Sequence, residues 1–412
     1  MNRLNLGKDL YIKGRIGWKG LSKSEYLEKS DYRIINATAL EDGFIDWNNC
    51  GFISKERYEE SKEIQLKEND ILISKDGTIG KIGYVKNLPG KCTVASGVFV
   101  VRNTKEKILN FDYLYHILKS NIFKNFINNN KAMGSTINHL YQRDLDNFVL
   151  ELPEREEQNR IATVLNTLDK LVDTNNKFIS NSIEFTKLLY NYWFVQYNYP
   201  KRFPKELIWN KNLKMKVPNN FEYTEIKNIE KNIITGKTPS TKHSEYFGGN
   251  IQFITIDDIR GNLFIYKTKR TLTESGLLTQ TKKTIPENSI CVSCIGTPGI
   301  IGITTEKCTT NQQINSIVCE KEYNIYFLYH ALSNYFNLSN AVKMGNIFSN
   351  MNKDDFSNIK VLYNEEIAKH YASVVKPYFD NMKVKYYENS KIKNFKEFLL
   401  PLLMNGKVTI NE

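Results

Sequence analysis

Residues 73–83 read ISKDGTIGKIG, three glycines in seven residues directly after an apolar run, and residues 292–302 read VSCIGTPGIIG with the same glycine spacing. A glycine-rich loop after a strand can cradle phosphate with its backbone N–H groups. The first stretch has Gly-Lys without a following Ser or Thr, and its glycines are wrongly spaced for such a loop. GKT at 236–238 matches the end of a phosphate loop better, but the first glycine of that pattern falls on Lys231 and Pro239 stands where the helix must begin. Neither reads as a nucleotide site. The glycines instead predict a tight strand–turn–strand with positive φ. Lys75 and Lys81 would project near the turn in the first copy, where the second has Cys294 and Ile300.

Other candidate chemistry fails on spacing. Cys291 and Cys294 form a CxxC that could open a zinc site, yet no second CxxC follows, so they read as small residues of a buried strand. His116, His139, His243, His330 and His370 make no HExxH and no paired ligand set. His116 and His330 recur in LYHIL and LYHAL, within helical patterns, and are expected to pack. Glu225 and Lys227 lack the Pro-Asp that precedes ExK in the common nuclease pattern, and no two prolines are adjacent, as the usual loop for methylating an exocyclic base amine requires. No catalytic residue, metal ligand or cofactor-binding residue is therefore assigned to this chain.

The elements behind these motifs occur twice. Ile35, Glu68-Asn69, Gly77, Gly80 and Gly83 recur as Ile254, Glu287-Asn288, Gly296, Gly299 and Gly302, and Met133-Gly134, Asp144 and Asn147 as Met344-Gly345, Asp355 and Asn358. The offset drifts only in small steps, as short loop deletions in a duplicated unit would produce. Each unit opens with strand-like runs such as 70–74 and 97–101, continues with helical patterns at 111–128 and 323–340, and ends in a long segment with an apolar stripe. The first such segment, 154–196, holds no Gly or Pro. As one helix it would be about 64 Å long. A stripe of that length needs a partner helix, and the segment 365–405 is the obvious one, giving an antiparallel coiled coil with polar interruptions at Asn175 and Ser182. Two helices packed separately on their own domains are the alternative. The expected fold class is α+β, with two duplicated mixed domains separated by two long helices. Its boundaries are 1–150, a first mixed domain; 151–198, the first long helix; 199–361, linker and second mixed domain; and 362–412, the second long helix.

Charge bears on function. With 57 Lys and Arg against 45 Asp and Glu, the 412-residue chain carries +12. The two long segments contribute −1 and +2, leaving +11 on the globular units and the linker 199–218. Basic lobes beside a nearly neutral rod suggest an extended polyanion held at two places, with DNA the natural candidate. A 41% hydrophobic share, no long apolar run and no apolar signal core at the start predict a soluble, cytoplasmic protein with no membrane partner. Six irregularly spaced cysteines do not read as a disulfide framework.

At this point the chain resembles the DNA-specificity subunit of type I restriction–modification systems. The resemblance rests on GRIGWKGL (14–21), ISKDGTIGK (73–81), MGSTINHL through LPEREEQNRIATVLNTLDKL (133–171), FEYTEI (221–226), ITGKTPS (234–240), YFGGNIQFITIDDI (246–259) and NQQIN (311–315), and it covers essentially the whole chain. It departs from the family in a short lead-in and in Pro377 and Pro401 of the second long segment; Pro377 is expected to kink that helix or mark a late start. The resemblance implies that each lobe reads one half of a bipartite site in double-stranded DNA while the helices set the gap. It also implies two methyltransferase subunits and restriction (motor-nuclease) subunits as partners, with S-adenosylmethionine, ATP and Mg on those partners and no cofactor on this chain. A related modification or phage-defence complex, or a coiled-coil scaffold that binds only proteins, remains the alternative.

Loop residues able to meet DNA are Arg15, Lys19, Lys75, Lys81 and Asn138 in the first lobe. In the second they are Lys237, Thr241, Lys242, His243, Gln312 and Gln313. Arg with guanine, and Asn or Gln with adenine, are the favoured bidentate pairings, while Lys suits phosphate. The alternative for each is a polar side chain that meets only water.

Overall fold

The computed structural model describes residues 2–15, 20–41, 43–129, 139–203, 205–341, 350–404 and 408. It divides into two compact units, one of residues 1–171 with 392–412 and one of residues 172–391.

In the first unit, Tyr11–Gly14, Val98–Arg102, Ile71–Ser74 and Ile82–Tyr84 form an antiparallel sheet in that order. Alternate residues bury on opposite faces, as the two-residue strand period dictates. Ile71, Ile73, Phe99 and Val101 pack against helices Phe111–Lys119 and Asn121–Asn129, whereas Leu72, Val98 and Val100 join a second core with Ile35 and Val94. A three-stranded sheet of Gly51–Ile53, Tyr32–Ile35 and Lys91–Val94 includes one parallel pairing, Ile34 beside Thr93. The helical pattern over 111–128 breaks at Ser120, whose extended backbone ends one helix while its hydroxyl accepts from the Ile122 N–H (3.1 Å).

The second unit repeats this plan. Asn232–Thr235, Ile314–Val318, Ile290–Ser293 and Ile301–Thr304 take the same order, extended by Phe264–Ile265. Arg270–Leu272, Phe247–Ile254 and Cys308–Thr310 form the three-stranded sheet, again with one parallel pairing. The duplication thus holds strand by strand.

Both long segments are helical, Arg155–Tyr190, continued by a π-turn over Asn191–Val195, and Glu365–Met404. They pair antiparallel within each unit. In the first, Ile161, Ala162 and Leu165 share a core with Leu400 and Leu403, and Lys396 pairs with Asp169. In the second, Asn175 is buried and its Nδ2 donates to Glu388 Oε2 (3.1 Å) and Asn389 Oδ1 (2.9 Å), while Tyr371 O–H donates to Thr186 O (2.8 Å). The Asn175 interruption of the seam is therefore satisfied inside it, as buried polar groups must be. The second helix starts at Glu365, so Pro377 marks no late start. It removes a single donor, and its neighbours Val375 and Phe379 are anchored in the core.

His116 and His330 pack as expected. The His116 ring bonds Asn166 Oδ1 (2.9 Å), and burial, reinforced by Lys396, lowers its pKa to about 4. His330 lies among Tyr190, Tyr329, Tyr371 and Phe379, and burial lowers its pKa to about 3. Cys291 and Cys294 are buried in different cores on opposite faces of their sheet, so the two thiols cannot share a metal.

Candidate nucleic-acid interface

The duplicated glycine loops are one turn built twice. Ser74 Oγ donates to Thr78 O (2.6 Å) and accepts from Lys81 N–H (2.8 Å), and Gly80 N–H donates to Ser74 O (2.9 Å). Ser293 Oγ donates to Thr297 O (2.6 Å) and accepts from Ile300 N–H (2.9 Å), and Gly299 N–H donates to Ser293 O (2.9 Å). Gly77 and Gly80, like Gly296 and Gly299, hold φ between 68° and 90°, where a side chain would be strained. A serine thus staples the turn from inside. The pattern S-x-x-G-T-x-G was present in both copies, but attention to the glycines alone passes over the serine.

Each turn is the hub of a cluster of loops. In the first unit Lys75 N–H donates to Gly97 O (2.9 Å), and Leu140 N–H donates to Lys75 O (2.9 Å). In the second Cys294 N–H donates to Gln313 O (2.8 Å), and Met351 N–H donates to Cys294 O (2.9 Å). The same architecture presents different side chains in the two units.

In the first unit the Lys75 ammonium lies 4.9 Å from the Phe99 ring, and partial burial lowers its pKa. Lys81 is half-buried at the far side of the turn. His139 Nδ1 meets the Asp76 carboxylate, the His139 ring lies tilted against Tyr141 at 4.4 Å, and Arg143 covers the exposed Tyr141 ring at 4.9 Å. This group was missed, although His139 directly follows Asn138. Lys19 and Asn138 lie outside the described residues.

Arg15 is a correction. Read as an exposed loop residue, it is only 2% exposed, with Nε donating to Val94 O (3.2 Å) and Nη1 to Ser61 Oγ (3.4 Å). Burial, together with the nearby Arg57, lowers its pKa. Its guanidinium is buried between Val94 and Ser61 and does not reach the surface as a loop cation would.

In the second unit the structure brings Lys237, Gln312 and Gln313 together. Gly236 N–H donates to Ile314 O (3.1 Å), Lys237 N–H to Thr310 O (3.0 Å), and Thr238 Oγ1 to Gln312 Oε1 (2.6 Å). Asn311 Nδ2 donates to Gln313 Oε1 (2.9 Å). Lys237 and Gln312 are exposed, and so are Thr241, Lys242 and His243 on the following coil. His243 bonds Glu245 (2.9 Å) and stacks on Tyr246. No helix begins after Thr238, which removes the geometry of a phosphate loop. A shallow depression of about 400 Å³ lined by Lys227, Lys231 and Lys353 adds positive charge to this unit, and it too was missed. Glu225 simply pairs with Lys227 (2.8 Å).

Turns that gather Lys and Gln side chains at the surface can bind phosphates and read base edges. The sequence model of the type I restriction modification DNA specificity domain matches residues 16–185 and again 218–397, and the chain belongs to that family. It is 25% identical over 408 residues to the HindI specificity subunit of Haemophilus influenzae, covering 83% of this chain and 87% of that one. It is 26% identical over 404 residues to a putative specificity subunit, MjaX, of Methanocaldococcus jannaschii, covering 95% and 90%. The fold matches the type I S subunit from M. genitalium with a TM-score of 0.54, at 14% identity over 98% of this chain and 95% of that one. As a specificity subunit the chain is a non-catalytic, DNA-recognising component of a type I restriction–modification system. Among the described residues no helix is long and apolar enough to cross a membrane.

Proposed function

We propose that this chain recognises a bipartite, asymmetric site in double-stranded DNA, one half through each repeated unit, and directs methyltransferase and restriction subunits to it in the cytoplasm. The observation that carries the reading is the duplicated serine-stapled turn. One scaffold presents Lys75, Lys81 and the His139 group in the first unit and Lys237, Gln312 and Gln313 in the second. Identical platforms with different side chains suit two different half-sites. The paired long helices would hold the unspecified gap between the halves.

Docking of two methyltransferase subunits is supported by an apolar stripe that the seam covers only in part, Phe185 touching Tyr378 at 4.7 Å. Within the second unit Phe178, Phe185 and Tyr192 recur every seven residues, with Leu188 and Val195 between and beyond them, all exposed. Such a repeat fits a further helix. S-adenosylmethionine would be used by those subunits, and ATP and Mg by motor-nuclease subunits. A genome-wide map of modified bases with and without this chain tests the proposal. Loss of methylation at a single split motif is expected, and an unchanged map in a host whose methyltransferase is expressed would overturn it. Exchanging residues 1–150 for those of a relative should change one half of the motif only; a change in both halves would defeat the modular reading.

A further inference from the structure

One element of the second unit stands apart from its two repeated sheets. Leu207–Asn210 pairs antiparallel with Met215–Pro218 as a two-stranded ribbon within the linker. Its loop is built, because Asn210 Oδ1 accepts from the N–H groups of Asn212 (3.0 Å) and Leu213 (3.1 Å) and Lys214 takes a left-handed φ of 52°. Its base is tied down by Asn219 N–H donating to Glu206 O (2.8 Å) and by Val217, which is buried in the core.

Despite this anchoring, Leu207, Ile208, Trp209 and Met215 stay exposed, with Trp209 at 60%. Large apolar side chains grouped on one free ribbon mark an interaction surface. The charge around them identifies the partner. Lys205, Lys211, Lys214 and Lys216 surround the apolar group, and none forms an ion pair among the described residues, while the single acid, Glu206, is held by Asn219 (3.1 Å). Several lysines on the second long helix behave differently, since Lys369, Lys376 and Lys385 are paired with carboxylates. Protein–protein interface cores are depleted in lysine. A rigid ribbon of unneutralised lysines interleaved with Trp and aliphatic side chains suits nucleic acid, where phosphates take the charges and sugars or base faces take the apolar groups. A groove of the duplex admits a two-stranded ribbon.

We infer that the 207–218 ribbon is a third DNA contact, which grips duplex independently of sequence, outside the bases read by the two units. The inference rests on the DNA-recognition reading above. Its test uses the chain assembled with its methyltransferase, a Trp209→Ala variant and a Lys211→Gln/Lys214→Gln/Lys216→Gln variant. Affinity is measured against salt on duplexes of about 60 base pairs with and without the mapped motif, and on a duplex trimmed to the motif. For the lysine variant, affinity for both long duplexes should fall together by roughly tenfold or more, with a salt slope smaller by about 2 to 3, given about 0.9 per phosphate contact. Trp209→Ala should weaken both long duplexes alike. The trimmed duplex and the ratio between motif and non-motif DNA should not change. Unaltered affinity and slope on long DNA would overturn the inference. So would intact DNA affinity with loss of the methyltransferase from the complex, which would make the ribbon a protein-docking element. If the wild-type complex bound no duplex at all, the DNA reading itself would fall, an outcome distinguishable from the others.

Discussion

Gly236→Ala should disable reading by the second unit alone. Gly236 ends the strand Asn232–Thr235, and a Cβ there would lie 2.2 Å from Asn311 O and Thr310 Oγ1, and 2.4 Å from Thr310 O. Two of these three atoms are backbone, so a methyl group can be relieved only by moving one strand end away by about 1 Å, to reach van der Waals contact. The Gly236–Ile314 and Lys237–Thr310 hydrogen bonds, 3.1 and 3.0 Å long, do not survive that displacement. At about 1 kcal/mol each, the local loss is about 2 kcal/mol. Lys237 and Gln312 then leave their common register. A lost base contact is worth about 1–3 kcal/mol, so discrimination against a wrong base should fall roughly 5- to 150-fold. The assay is competition binding by the assembled complex with duplexes altered in one half-site at a time. Discrimination should collapse in the half read by the second unit and persist in the other. A Gly236→Ala protein that discriminates in both halves like wild type would refute the assignment of this loop cluster to base reading.

Burial makes stability depend on pH through His330. Its folded pKa, about 3, lies below the ordinary 6.5, so its contribution is present above pH 6.5 and is lost as pH falls towards 3. Between pH 7 and 5 this amounts to about 2 kcal/mol. Urea unfolding should show that part of the pH dependence vanish in His330→Phe, and an unchanged slope would contradict it. Asn175→Ala should destabilise the helix pair by about 1–2 kcal/mol by stripping partners from Glu388 and Asn389, measurable as a lower urea midpoint. Lys81→Gln should weaken binding alike for all sequences and reduce the salt slope by about 0.9, read from titrations at several salt concentrations. A selective loss at one base would instead make Lys81 a reader.

What the sequence determined by itself is what depends on short-range chemistry. Glycine spacing specified positive φ at Gly77, Gly80, Gly296 and Gly299, because only a residue without Cβ takes that backbone freely. The helical period specified the two long helices, and the drifting offset specified the duplication. Placement of individual side chains was decided by tertiary structure. Arg15 looks like a loop cation until Ser61 and Val94, 46 and 79 residues further along, close over it. Pro377 looks like a boundary until core neighbours hold the helix around it. Gln312 and Lys237 are far apart in the chain, and a glycine that permits two backbones to touch makes them one surface. Local backbone preference is written in adjacent residues, whereas burial and convergence depend on distant segments that no local pattern names.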